Sequence, residues 1–501
     1  MFIEIEIYKD PWMDNGIENF YGILKDINSC EAKITDTSLK FEITNTEKFV
    51  KELAKKIINE KRQSLIFEEK DKKTSVAKEV KKDHLLLQEE KKIGGKVAFK
   101  EDIYKSEYTQ EIISNIFSIG DGENICVLCE RRFDKAVKEL QQASYPLATK
   151  IRSLSGVRSY KDGFTLSLKE YYGNYCSICY LLGILLWSDE ALIYRTFPGE
   201  KSFLFLPIFE SLEELHAFKN YCRLSGIFGN GRYSNIRVGK ESEDLEMTPG
   251  KFSTLLCFYE KLVDDSSDGF IAYNWSIMQI PFGPVKNIKM DSLNITKGMV
   301  GIIKKIKSYS VRIYSDICKK IYFFSESKKG IDWDLTKELQ EKLAESFLKD
   351  NFRTFTKCLL PKGGHYIVFS SELIKNLDKL IFVWRCERMG ISKENLDTIK
   401  SVGNIIARVS KNNMSLLYKL DKVRREDELW SVLREVARKI PGMEEKDLKM
   451  IKPSALDDLI QLVKDIIVTN KDIWKEVRDL LVIYSSMFLS INKMSKGGNE
   501  K

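Results

Sequence analysis

The sequence predicts an α+β protein, in which a mixed N-terminal body carries an inserted four-cysteine subdomain and is followed by a C-terminal helical bundle. Three observations carry this. The opening MFIEIEIY alternates apolar and polar residues with a period of two, the mark of a half-buried strand. Two Cys-x-x-Cys pairs stand at Cys126/Cys129 and Cys176/Cys179. Beyond about residue 333 apolar residues recur at helical spacing through five long segments, with Pro361, Pro441 and Pro453 as punctuation. At 501 residues the chain exceeds a single core of usual size, so several domains are expected. Its 43% hydrophobic and 31% charged residues describe a globular protein, and a net charge of +8 favours an acidic partner.

In chain order, residues 1–125 form a strand and helix region with a charged insertion. After the first strand, Asp10-Pro11 and Asp14-Asn15-Gly16 read as turn signals, and Ile17, Phe20 and Leu24 begin a helical stripe. Residues 60–92 are more than half charged and read as a solvated helix or mobile insertion; their signs nearly cancel, which weakens a nucleic-acid-binding arm.

Residues 126–180 hold the two cysteine pairs. A pair spaced by two residues clasps one side of a tetrahedral ion, and a second pair completes a closed site, so structural Zn2+ on Cys126, Cys129, Cys176 and Cys179 is the leading reading. Four buried core cysteines, or redox chemistry at one pair, are the alternatives. The 46 residues between the pairs exceed the spacing of familiar zinc modules, so a subdomain is expected between them, with ERRFDKAVKELQQ at 130–142 as a helix.

Residues 181–332 complete the mixed α/β body, with strand-like runs such as ALIYRTF and FLFLPIF after FTLSLKEYY. Two stretches here suit nucleic acid. Residues 286–329 hold eleven Lys and Arg against Asp291, Asp316 and Glu326; Lys304, Lys305, Lys307, Arg312, Lys319 and Lys320 could neutralise phosphates, and Tyr309, Tyr314 and Tyr322 could stack on bases. A lysine-covered outer face would look the same. In the glycine-rich loop at 225–244, Asn230, Arg232, Asn235, Arg237 and Lys240 offer donors for phosphates or base edges.

Residues 333–501 read as the bundle. Ser454 and Asp457 look like a helix start, with Leu456, Leu459, Ile460, Val463 and Ile467 on one face; Ile473, Val477, Leu480, Leu481, Tyr484, Phe488 and Ile491 repeat the pattern. Arg408, Lys411, Lys419, Lys422, Arg424 and Arg425 offer a basic track outside it.

No phosphate loop, dinucleotide fingerprint or HExxH motif occurs, and His84, His216 and His365 are scattered singly, so the reading is of a protein that is not an enzyme. The first residues carry glutamates where an export signal needs a basic start, and the longest apolar run, YLLGILLW, falls short of the roughly 20 residues of a membrane span. A cytoplasmic location without membrane is expected.

The opening IEIYKDPWMDNGIENF, together with the two Cys-x-x-Cys pairs, the length and the helical last third, resembles the CXXC-CXXC family of CRISPR-associated large subunits, the Cas-eight type subunits of type I-A and I-B Cascade. The resemblance rests on residues 3–20 and the four cysteines. It implies a non-enzymatic large subunit that recognises the protospacer-adjacent motif of target double-stranded DNA, supports R-loop formation and docks the helicase-nuclease. Its partners would be crRNA and the backbone and crRNA 5′-handle-binding subunits. It further implies a bundle like the separate small subunit, for which Met389 and Met414 are candidate internal starts and a fragment from about 389 would fold alone. A stand-alone zinc-ribbon protein of transcription or RNA processing, and a redox protein using one pair, are the readings from other classes.

Overall fold

The computed structural model describes residues 1–56, 63–70, 77–84, 90–93, 96–99, 113–118, 122–126, 128–134, 176–186, 189, 191, 193–197, 201–224, 248–263, 271–280, 290–411, 414–443, 445–449, 455–461 and 473–497. It is an α+β protein of two compact units: Met1–Glu246 with Asp265–Asn294, and Met247–Asp264 with Ile295–Lys501. That division falls elsewhere than the change of texture near residue 333.

The first unit opens with β1 (Phe2–Glu6), which pairs antiparallel with β3 (Ser38–Ile43), itself flanked by β2 (Cys30–Ile34). Alternation sets the register, placing Ile3 opposite Phe41 and Ile5 opposite Leu39. Helix α1 (Pro11–Leu24) begins where a turn was expected. Asp10 caps it by accepting from Trp12 N and Met13 N at 3.0 and 2.9 Å, and Pro11 takes the first helical position, where its missing N–H costs nothing. Asp14, Asn15 and Gly16, read as a turn, lie inside the helix. Tertiary partners override their local preference: Asp14 accepts from Tyr8 N at 2.8 Å, and Asn15 Nδ2 donates to Pro11 O at 2.6 Å and Pro207 O at 3.1 Å. Phe20, Phe41 and Phe49 pack behind α1 with centroids 5.8 and 6.4 Å apart.

The charged segment is not helical where it is described. β4 (Gln63–Lys70) and β5 (Ala77–His84) form an antiparallel hairpin, and β6 (Glu90–Ile93) and β7 (Lys96–Phe99) form another. SLIFEEK carries no helical stripe, and the pairing sets Glu69 opposite Lys78. Further on, β10 (Ile193–Phe197), β11 (Lys201–Ile208), β12 (Asn274–Ile280) and β13 (Met290–Asn294) make an antiparallel sheet in that order. Consecutive Leu204, Phe205 and Leu206 are all buried, so β11 is covered on both faces.

The second unit is largely helical. Helix α7 (Trp333–Leu348) supplies Glu341 to the start of α5 (Lys251–Leu262), where its carboxylate accepts from Phe252 N at 2.7 Å, Ser253 N at 3.1 Å and Ser253 Oγ at 2.7 Å. This caps a helix with a residue from another one. Trp384 sits among Phe347, Phe352 and Phe355, with centroids 4.9 to 5.2 Å away. Helix α10 (Lys393–Val409) lies along α14 (Trp474–Gly497), and a Cβ on Gly403 would come within 2.8 Å of Tyr484 Cβ, so the seam depends on that glycine.

The predicted face of α14 is buried from Ile473 through Tyr484. Two details differ. The stretch 414–440 is two helices, α11 (Ser415–Lys422) and α12 (Glu426–Lys439), because Val423 turns extended and Glu428 Oε2 accepts from Arg424 N at 2.8 Å. Ile460, expected inside, is 52% exposed on α13 (Ala455–Gln461), while Ser454, Val463 and Ile467 lie outside the described residues. A fragment starting at 389 would also lose the partners of α14: Arg353 for Asp479 at 2.7 Å, Arg385 for Glu476 at 2.5 Å and Asp378 for Tyr484 at 2.9 Å. No described helix is long and apolar enough to cross a membrane.

Glu260 on α5 is buried, and burial raises its carboxyl to about 7 although Glu260 Oε1 accepts from Tyr314 N at 2.9 Å. An acid raised above its unfolded value binds an extra proton in the native state, so its ionisation subtracts stability as pH climbs from about 4.5 to 7. Glu260→Gln should therefore gain on the wild type across that window, by up to about 3 kcal/mol, in urea melts at successive pH values.

Candidate metal centre

The first cysteine pair sits on a short hairpin, β8 (Asn124–Ile125) against β9 (Arg132–Phe133). The expected helix does not start at 130. Instead the chain folds back over Cys126, whose N–H donates to Arg131 O and whose carbonyl accepts from Glu130 N, both at 2.9 Å, with Glu130 at φ 58. Gly122 permits the fold, because at φ +135 it lies against Phe133, where a Cβ would be 2.4 Å from backbone. Residues 135–142 lie outside the described residues.

The second pair opens α3 (Ser177–Leu185): Cys176 O accepts from Tyr180 N at 3.1 Å, and Cys179 follows in the first turn. Backbone donors face the sulfurs, Cys176 N at 3.4 Å from Cys126 Sγ and Cys179 N at 3.5 Å from Cys176 Sγ. A helix start favours negative charge at that point.

All four Sγ atoms lie within 4.8 Å of one another, the one such cluster of metal-ligating groups among the described residues. Contacts run between the pairs: Cys126 to Cys179 at 3.6 Å and Cys129 to Cys176 at 3.7 Å. Ligands about 2.3 Å from a central zinc at tetrahedral angles stand roughly 3.8 Å apart, so the four sulfurs fit the edges of that polyhedron. The donor set fits as well. Cys126 is drawn far down by hydrogen bonds from the other three thiols, whereas burial first, then the neighbouring sulfurs, pushes Cys179 far up. Four thiolates cannot share this space by themselves; a divalent cation removes the conflict. The cluster can therefore hold a metal ion such as zinc. The other six cysteines are buried apart from it, the fate expected of core cysteine.

The centre is built into the N-terminal core. Tyr8 Oη lies 3.1 Å from Cys179 Sγ, and Trp12 Nε1 donates to Gly183 O at 2.9 Å. A Cβ on Gly16 would meet Leu182 O at 2.4 Å, so α1 approaches the cysteine helix as closely as glycine allows.

Of the residues expected to touch nucleic acid, Asn230, Arg232, Asn235, Arg237 and Lys240 lie outside the described residues. The basic stretch is described from 290 onward. Helix α6 (Lys297–Ser308) carries Lys304, Lys305 and Lys307. Lys305 is ion-paired with Glu387 at 2.6 Å, and the half-buried Lys307 donates to the Glu260 carbonyl at 3.3 Å, its own burial lowering its affinity for a proton. Arg312 and Lys320 are exposed and Lys319 is half-buried, with Lys320 4.0 Å from Glu372. Tyr314 is fully buried and cannot stack on a base, whereas Tyr309 is 45% exposed.

Sequence reasoning missed a buried charge network. His216, Lys219, Asn220 and Arg223 fall on one face of α4 (Leu212–Leu224) at helical spacing, a signal overlooked because His216 was read as a lone histidine. Lys219 Nζ meets Asp189 at 2.5 Å and Glu18 at 3.2 Å; Arg223 meets Glu18 at 2.8 Å and Asp189 at 3.0 Å. Burial opposes ionisation of Glu18, yet Arg223 and Lys219 hold it well below the usual carboxylate range. His216 Nδ1 is 2.7 Å from Glu18, and its Nε2 is 2.8 Å from Asn220 Nδ2. Two carboxylates balance two cations, so this is a fastener between α1 and α4.

No model of a known protein family matches the chain, and no curated protein matches it significantly.

Three outcomes test the centre, its support and the charge network. Cys129→Ser should release the metal to a chromogenic chelator and lower the melting temperature, because such binding is coupled to folding; Gly16→Val, driven into Leu182 O, should cost about 1–3 kcal/mol in urea melts. Lys219→Met, leaving Glu18 and Asp189 short of a cation, should cost about 3–5 kcal/mol.

Proposed function

We propose that the chain is the non-enzymatic large subunit of a type I CRISPR interference complex, with zinc as the ion of the four-cysteine centre. In this role it reads the protospacer-adjacent motif of target double-stranded DNA, supports R-loop formation and docks the helicase-nuclease. The observation that carries the reading is that the two stretches bearing the family resemblance form one core. Tyr8, Trp12 and Gly16, from the opening motif, each touch the helix that carries Cys176 and Cys179 or one of its sulfurs. The two sequence signals lie in one core, which supports the reading. The closed cluster supports a structural rather than a catalytic ion, since four thiolates leave no open coordination position. Exposed cations on α6 and after it, Arg312 and Lys320 among them, support a contact with phosphate backbone.

Purified from its own cells, the tagged chain should bring down crRNA with a constant 5′ handle, together with backbone subunits, and carry about one zinc per chain by elemental analysis. A zinc-bearing chain that returns alone and free of RNA would leave the stand-alone zinc-ribbon reading in its place. Within the complex, replacing Asn230, Arg232 or Arg237 should erase discrimination between targets with and without the adjacent motif. Replacing Lys304 with Arg312 should instead weaken binding to all sequences and flatten its salt dependence in gel-shift titrations.

A further inference from the structure

A hollow of about 480 Å³ opens in the second unit, lined by Arg353, Lys357, Asp421, Lys422, Arg424 and Arg478. Arg353 comes from α8 (Phe352–Cys358), Lys422 from the end of α11, Arg424 from the break between α11 and α12, and Arg478 from α14. Its inner wall is already organised. Arg353 is fixed by Asp421 at 2.6 Å and Asp479 at 2.7 Å; Arg478 is fixed by Asp479 at 2.8 Å, by Val423 O at 2.8 Å, and by the ring of Trp474 5.6 Å away. The two aspartates are thereby spent on the two arginines. The side chains of Lys357, Lys422 and Arg424 carry no ion pair among the described residues, so three positive charges converge on one concavity without a counter-charge.

Such convergence is unfavourable unless an anion fills the space, and the ligand it favours is multiply charged with acceptors on several sides. A carboxylate offers one charge and two oxygens. A phosphate offers more of both and suits guanidinium forks held in place beforehand. We propose that this hollow is a binding site for a phosphate-bearing ligand, with Arg353 and Arg478 as the fixed wall and Lys357, Lys422 and Arg424 as the closing rim. The phosphate belongs either to a nucleic-acid backbone or to a free phosphorylated small molecule. The site rests on the second unit alone and does not depend on the CRISPR reading, so guide-RNA capture can fail while it stands.

The test uses the full chain, inorganic pyrophosphate and a labelled twelve-residue oligothymidylate, at constant ionic strength with acetate as the control anion. Pyrophosphate, and not acetate, should raise the melting temperature by linkage. In calorimetry, K422A/R424A should weaken its binding at least tenfold, and K357A alone several-fold. K337A/K375A, exposed lysines elsewhere in the unit, should change nothing. Oligothymidylate that binds, is displaced by pyrophosphate and loses affinity in K422A/R424A assigns the site to a nucleic-acid backbone. Pyrophosphate binding that the oligonucleotide does not contest assigns it to a small phosphorylated ligand. Equal affinities in wild type and both rim variants, or no pyrophosphate binding at millimolar concentration, overturns the proposal.

Discussion

Four sulfurs held within 4.8 Å of one another impose a charge problem that the polypeptide does not solve unaided. Every ionised thiol makes the next harder to ionise, and burial adds to the cost. A metal ion such as zinc, which this cluster can hold, would make the same crowding favourable. The hairpin bearing Cys126 and Cys129 is two residues wide on each side, too small to persist by pairing alone. A metal ion held by the four sulfurs would cross-link it to α3, and α3 in turn is gripped by Tyr8, Trp12 and the bare backbone of Gly16.

Away from the cysteines, polar fasteners recur where one element must be aligned on another. Glu18 and Asp189 against Lys219 and Arg223 tie α1 to α4; Glu341 caps α5 from α7; Arg353 joins the α11–α12 break to α14 through Asp421 and Asp479. Apolar contact tolerates sliding, whereas a desolvated ion pair has one geometry in which its cost is offset. These groups therefore specify register more than they add net stability. On the basic surface, a lysine spent on an internal partner, as Lys305 is on Glu387, has less to offer a ligand than a five-donor guanidinium held in place.

What was legible in the sequence follows from which interactions are local. Helical periodicity announced α7, α10 and α14, because their apolar stripes depend only on spacing. The spacing of two residues within each cysteine pair announced the four-cysteine cluster, alternation announced β1, and a short apolar run announced β11. The errors arose where distant residues decide. Asp14-Asn15-Gly16 has the composition of a turn, but its side chains and missing Cβ serve Tyr8, Pro207 and Leu182. The break at Val423 has no glycine or proline to mark it, and Glu428 supplies the cap from inside the next helix. Tyr314 looked like a stacking residue within a basic run, yet the fold turns it inward. The network around Glu18 was half visible, as the stripe His216, Lys219, Asn220 and Arg223, but its anions come from elsewhere in the chain.

The closeness of α1 to α3 and α4 has a bearing on how the chain is made. During synthesis α1 emerges with its buried face complete, but the groups that cover it, at Leu182, Pro207 and Lys219, are translated some 160 to 200 residues later. At ribosomal rates of about 5–20 residues per second, that is on the order of ten seconds or more in which Trp12 lacks its native surroundings, while the first cysteine pair waits 47 to 53 residues for the second. Early contacts can form within β1–β3 and α1 and with Phe49, and the long closure comes later. A nascent chain of this design carries uncovered apolar surface while it is made, and its first cysteine pair emerges before its second pair exists.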